Sequence, residues 1–118
     1  MTNTKYNLKP RILSFVLSIF DLINKIPDTR INRIFIDQIA RSASSVGSNY
    51  EEADGTPTKK DFIYKMGLVK KEAKETKYWL VLIQEVNQKY ISVIIPSIIQ
   101  ENEELIRIFS SIIIKSKI

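Results

Sequence analysis

Apolar residues in this chain recur at intervals of three and four, in four separate runs, and that spacing is the strongest constraint on its fold. In the first run Ile12, Val16, Ile19, Ile23 and Ile26 step by four, three, four and three. This is one face of an α-helix, because residues three and four apart stack on the same side at 3.6 residues per turn. The helix is expected over about residues 9–26, with Pro10 in the first turn, where its missing N–H costs nothing, and Pro27 and Asp28 at its end. The second run is Ile31, Phe35, Ile39, Ala43, Val46, Tyr50 and Ala53, preceded by Asp28 or Thr29 as N-cap and ended by Asp54-Gly55 and Pro57. Its middle is small (Ser42, Ala43, Gly47), which points to close approach of a neighbouring helix rather than to a ligand site. The third run is Phe62, Met66, Val69, Ala73, Thr76, Leu80 and Ile83, with Thr58 and Asp61 at capping-box spacing and an end near Gln88. The fourth is Ile95, Ile98, Asn102, Leu105, Phe109 and Ile112, with Ser92 as N-cap and Pro96 in the first turn. Asn102 on that stripe reads either as a buried register-setting amide or as a solvated rim residue.

Propensity alone argues otherwise. The chain holds 21 Ile in 118 residues, and Ile favours strands when taken by itself. Periodicity overrides this, and the one short strand-like run, Ile112 to Ile114, has no second strand to pair with. Only 3 Gly and 4 Pro punctuate the chain, too few for a many-turned β-sandwich. Four helices with short connections predict an all-α, antiparallel up-down-up-down four-helix bundle. A single domain over residues 1–118 is expected, with 1–8 a flexible N-terminal segment.

Composition then removes chemistry. With no Cys there is no thiolate nucleophile, disulfide framework or Cys-based zinc site. With no His there is no Ser-His-Asp triad, His ligand or Glu-x-x-His di-iron site. Glu51, Glu52 and Asp54 offer carboxylates for Mg²⁺, but Glu51 and Glu52 point about 100° apart on a helix. The reading is therefore no enzyme, no catalytic residue, no metal and no cofactor. Uncharged apolar stretches such as the one between Arg11 and Asp21 fall far short of the roughly 18 residues of a membrane span. No membrane partner and a cytoplasmic location are the expectation.

Three helices carry more apolar width than one bundle core uses. Leu13, Leu17 and Phe20 make a second stripe on the first helix. Tyr64, Leu68, Trp79, Leu82 and Val86 flank the third, and Ile94, Ile99, Ile106, Ile108 and Ile113 widen the fourth. Contiguous apolar surface on a soluble protein marks interfaces. Leu13, Leu17, Phe20, Leu68, Trp79, Leu82 and Val86 are thus the candidate oligomer interface, with a generous inner core as the alternative.

The formal charge is +5, and residues 59–77 hold seven Lys against three acids. Lys59, Lys70, Lys74 and Lys77 project onto one flank of the third helix, and Arg11 adds charge near the N-terminus. Such a stripe suits phosphates. For one chain alone, a solvated face with pairs such as Lys71–Glu75 is the better reading. Repetition of the patch around an oligomer favours the phosphate reading.

Two segments carry a resemblance. Gln38 to Ala53 reads QIARSASSVGSNYEEA, and residues 59–83 read KKDFIYKMGLVKKEAKETKYWLVLI. Together they resemble the bacterial four-helix-bundle family named after 23S rRNA intervening sequences. The motif residues are Arg41, Ser42, Ala43, Ser45, Asn49 and Glu52, then Lys59, Asp61 and Phe62, then the run Lys71 to Leu80. Asp54-Gly55 departs from the Glu-Gly found directly after the Asn in many relatives. The resemblance implies a homo-pentameric ring, no established catalytic activity and, from a similar bundle that serves diversity-generating retroelements, binding of nucleic acid and a protein partner. On the second helix Arg41, Ser45 and Glu52 fall on one polar face, with Asn49 at its edge. A polar network between helices or subunits is the favoured role, and a site for RNA or a partner is the sharper one. The function expected is a non-enzymatic, oligomeric, RNA- or DNA-associated bundle protein, with a protein-interaction scaffold as the alternative.

Overall fold

The structure, a computed structural model, describes residues 8–91 and 93–118, with Tyr90 and Ile91 as backbone only. The expected flexible segment 1–8 lies outside this range except for Leu8, which opens the first helix and is buried. Among the described residues there are four long helices and one short one. They are α1 (Leu8–Ile23), α2 (Arg30–Asp54), α3 (Lys59–Val86), α4 (Gln88–Ile91) and α5 (Ile95–Ser116).

The ends follow local chemistry. Thr29 is in extended conformation and its hydroxyl accepts from the Asn32 N–H at 3.1 Å, which starts α2. Thr58 does the same for Asp61, starting α3. The Gly55 N–H closes α2 by donating to the carbonyls of Ala53 and Glu52. Pro96 sits in the first turn of α5, and Ile94 before it gives no side-chain cap. The expected cap Ser92 lies outside the described residues. The turn Gln88–Ile91 has no apolar period to announce it.

Pairing is antiparallel. From α2 to α3, Asn32 meets Asn87, Arg41 meets Glu72 and Glu75, Ser42 meets Thr76, and Glu52 meets Lys65. Partner numbers fall along α3 as they rise along α2. Ala73 with Asn102, and Lys59 with Ile118, set the same sense between α3 and α5. Lys9 with Asp54, and Ile12 and Val16 beside Gly47, set it between α1 and α2. Arg11 bridges α1 to α5 through Glu101 and Glu104, closing a four-helix ring in which α1 faces α3, and α2 faces α5, across the diagonals.

The predicted inner stripes of α2, α3 and α5 line the core, with two corrections. Ile31 is 47% exposed, and its neighbour Asn32 is buried in its place. A β-branched apolar residue loses the position because Asn32 hydrogen-bonds both Pro27 O and Asn87 there. On α1 the core face turns toward Phe15 and Leu22, both buried, and Ile23 is only partly covered. Asn102 is fully buried, which decides its reading against the rim.

Polar groups cross this apolar core at three heights. Asn32 and Asn87 exchange reciprocal amide bonds of 2.8 and 2.9 Å. Ser42 and Thr76 hydroxyls meet at 2.8 Å, and Thr76 donates on to Glu72 O. Asn102 reaches Ala73 O at 3.3 Å and leaves its own Oδ1 without a protein partner. Buried polar groups of this kind bond best in one register only.

Candidate nucleic-acid interface

The polar faces of α2 and α3 are tied together by ion pairs. Arg41 bonds Glu72 and Glu75 of α3, and the Trp79 Nε1–H donates to Glu75 at 3.1 Å. The Glu75 carboxyl is held below its ordinary range, first by the Trp79 bond and then by Arg41, against a desolvation that pushes it up. Glu52 pairs with Lys65, and Asn49 donates to Ser45 O at 2.9 Å. Arg41, Ser45, Asn49 and Glu52 therefore do not form one cluster: Arg41 and Glu52 each make a separate cross-helix pair. The three carboxylates on offer for Mg²⁺ are also divided, since Glu51 and Asp54 go to Lys9 and Glu52 goes to Lys65. Among the described residues no three acidic side chains gather as metal ligands.

The expected basic stripe is dismantled in part. Arg11 is a fork between Glu101, at 2.7 and 2.8 Å, and Glu104, at 2.9 Å, which raises its already high pKa and cancels its charge. It lies at the α1–α5 seam, away from the α3 lysines. Lys77 pairs with Glu103 at 2.9 Å, and Lys59 bonds the Ile118 carbonyl at 2.8 Å. Among the described residues Lys70 and Lys74 make no ion pair and, with Lys71 and Gly67, line one shallow depression on α3. Lys71, by spacing a partner for Glu75, lines the same depression.

The outer stripe of α3 was missed. Lys60, Tyr64, Gly67, Lys71, Lys74 and Tyr78 step by four, three, four, three and four, and all are exposed. The spacing places Tyr64 with the apolar flank, yet it is 66% exposed, and Tyr78 is 59% exposed. The signal was present as the same period, offset to the far side of the core stripe.

The proposed interface residues separate into two places. Leu13 and Leu17 are 60% and 52% exposed, and Phe20 half-buried, beside a groove floored by Ile12, Val16 and Gly47 between α1 and α2. Leu68, Trp79 and Leu82 are partly covered on α3, and Val86 is exposed. Trp79 packs on Phe35 at a ring distance of 6.3 Å and on Tyr78 at 5.3 Å. A Cβ on Gly47 would lie 3.8 Å from Ile12 and 3.9 Å from Val16, an ordinary contact. The neighbouring helix α1 does lie against Gly47, as the small middle of α2 predicts, and the space there would also take a Cβ.

Among the described residues no helix is long and apolar enough to cross a membrane. A comparison with curated proteins finds no match. Among solved structures, the chain is similar to a protein of unknown function from the S23 ribosomal protein family of Bacteroides thetaiotaomicron. The two are 31% identical with a TM-score of 0.79, over 89% of this chain and 96% of that one. The profile of the 23S rRNA-intervening sequence proteins matches residues 5–111, so nearly the whole bundle, α3 surface included, is covered. The chain belongs to the 23S rRNA-intervening sequence protein family.

Proposed function

We propose that this protein is a non-catalytic, self-associating bundle that holds nucleic acid on the basic face of α3. The observation that carries the reading is Lys70, Lys71 and Lys74 standing together with no ion pair to Lys70 or Lys74 among the described residues, while Lys9, Arg11, Arg41, Lys65 and Lys77 are all spent on carboxylates within the bundle. Unpaired ammonium groups release counterions from a phosphate backbone; paired ones do not. A sequence without His or Cys supports the absence of catalysis. Exposed Leu13 and Leu17 support self-association, and the family resemblance suggests five copies.

The test is binding of labelled RNA and DNA as salt rises. Three phosphate contacts imply a slope near −2.7 in log K against log salt, or roughly 40-fold weaker binding between about 50 and 200 mM. Lys70→Glu with Lys74→Glu should abolish most of this. Absence of binding at about 50 mM salt, or binding indifferent to salt, would refute the reading. A native mass of 13.7 kDa at micromolar concentration would refute self-association. The second reading, an interaction scaffold without nucleic acid, is favoured by the apolar α1–α2 groove and would stand alone in that case.

A further inference from the structure

We infer that the outer stripe of α3 is a platform for single-stranded nucleic acid, with Tyr64 and Tyr78 stacking bases on either side of the phosphate contacts at Lys70, Lys71 and Lys74. The inference rests on the nucleic-acid reading above and narrows it to a strand whose bases are free. Tyr64, Lys71 and Tyr78 stand seven residues apart, and seven residues make nearly two full turns, so the three share one line along the helix. At 1.5 Å per residue the two rings are about 21 Å apart, with Lys71 near the midpoint and Lys74 one turn beyond it. Gly67, between Tyr64 and Lys71, has nothing within 4 Å of where a Cβ would stand. The helix backbone is thus bare at that point of the stripe.

The chemistry selects the occupant. An apolar partner would cover the tyrosine rings but would also bury the ammonium groups of Lys70 and Lys74, which have no carboxylate to pair with among the described residues. A duplex would satisfy the lysines and leave both rings idle, since its bases are stacked on each other. A single strand satisfies both, because every base presents a π-face and every linkage a phosphate. Tyr78 is also fixed for the purpose: its ring meets Trp79 edge-on, 64° between planes at 5.3 Å, and so keeps its orientation without losing its exposed face. Nothing here reads base identity, so the platform is tolerant of sequence.

The experiment is fluorescence anisotropy on the full-length protein with labelled oligo-U and oligo-dT of roughly ten nucleotides, and with a hairpin duplex of equal phosphate number. Tyr64→Ala and Tyr78→Ala should each weaken both single strands by roughly 5- to 100-fold and leave the duplex within about twofold. Tyr64→Phe and Tyr78→Phe should bind as wild type, because the ring and not the hydroxyl stacks. Lys70→Glu with Lys74→Glu should weaken all three ligands. Duplex binding equal to single-strand binding, with both alanine variants unaffected, would overturn the platform while leaving the basic face intact. No binding of any ligand would overturn both. Circular dichroism of each variant guards against loss of fold, and none is expected at two exposed positions.

Discussion

Asn32 and Asn87 are the most informative pair to break. Their amides close a ring: each Nδ2 donates to the other's Oδ1, at 2.8 and 2.9 Å, and each spends its second N–H on a carbonyl, Pro27 O at 2.9 Å and Ile83 O at 3.0 Å. Both side chains are buried, at 1% and 3% exposure. Replacing Asn87 with Ala leaves Asn32 with an unpaired N–H and an unpaired Oδ1 away from water. Ile83 O is not orphaned, since the Asn87 backbone N–H still donates to it at 2.9 Å. Two orphaned groups at about 1–3 kcal/mol each give an expected loss of roughly 2–5 kcal/mol. Asn32→Ala should cost a similar amount by the mirror argument, because Pro27 O keeps its Thr29 donor. The double variant removes both amides and leaves no orphan, only a cavity. Its cost should therefore fall well short of the sum, by about 2 kcal/mol or more. Urea unfolding at one fixed protomer concentration measures this, since self-association would otherwise shift the midpoint. Additivity of the two single variants within about 0.5 kcal/mol would refute the closed-ring account.

Asn102→Leu should do the opposite and stabilise by about 1 kcal/mol, because it removes an orphaned Oδ1 at the expense of one long bond to Ala73 O; a thermal melt reads the sign. Gly47→Ala should also raise the melting temperature, by up to about 1 kcal/mol of stability, since its Cβ meets Ile12 and Val16 at ordinary distances; if it instead lowers the native mass, a second chain packs on that glycine. The lowered Glu75 carboxyl contributes stability that is complete above its ordinary value of 4.5 and is lost as pH falls through the folded value below it. Wild type should therefore lose stability in acid more steeply than Glu75→Gln, and Trp79→Phe should reduce that difference. Equal acid slopes in urea titrations from about pH 5 to pH 3 would count against the Trp79–Glu75 bond.

The helices were legible in the sequence because a 3.6-residue period survives an Ile-rich composition, and because Thr29, Thr58 and Gly55 announce ends by local bonding. The exchange of Ile31 for Asn32 was not legible. It depends on Asn87, 55 positions away, and hydropathy ranks the two residues the other way round. The loss of Lys77 and Arg11 from the basic stripe was illegible for the same reason. Lys77 and Arg11 differ from Lys74 not in local pattern but in having Glu103, or Glu101 and Glu104, across a helix seam. Tyr64 and Tyr78 are hard to read because hydropathy does not separate an exposed tyrosine from a half-buried one, and Tyr64 shares its spacing with the apolar flank.

The +5 of the chain is thus a net over two unlike populations. Glu51, Glu52, Asp54, Glu72, Glu75, Glu101, Glu103 and Glu104 are consumed as cross-links between helices. These eight carboxylates share five cations, Lys9, Arg11, Arg41, Lys65 and Lys77, at the seams, and the lysines on the outer side of α3, Lys70, Lys71 and Lys74, are among the cations left outside them. Exposed pairs contribute little to stability one by one, so their larger effect is this sorting of charge. Adding an acid beside Lys74 would change binding more than fold, whereas removing Glu103 would free Lys77 and widen the basic face at small structural cost. Glu103→Gln should accordingly steepen the salt dependence of nucleic-acid binding by about 0.9 in log–log slope, the value of one more phosphate contact. A slope unchanged by Glu103→Gln would mean that Lys77 lies outside the face that phosphates reach.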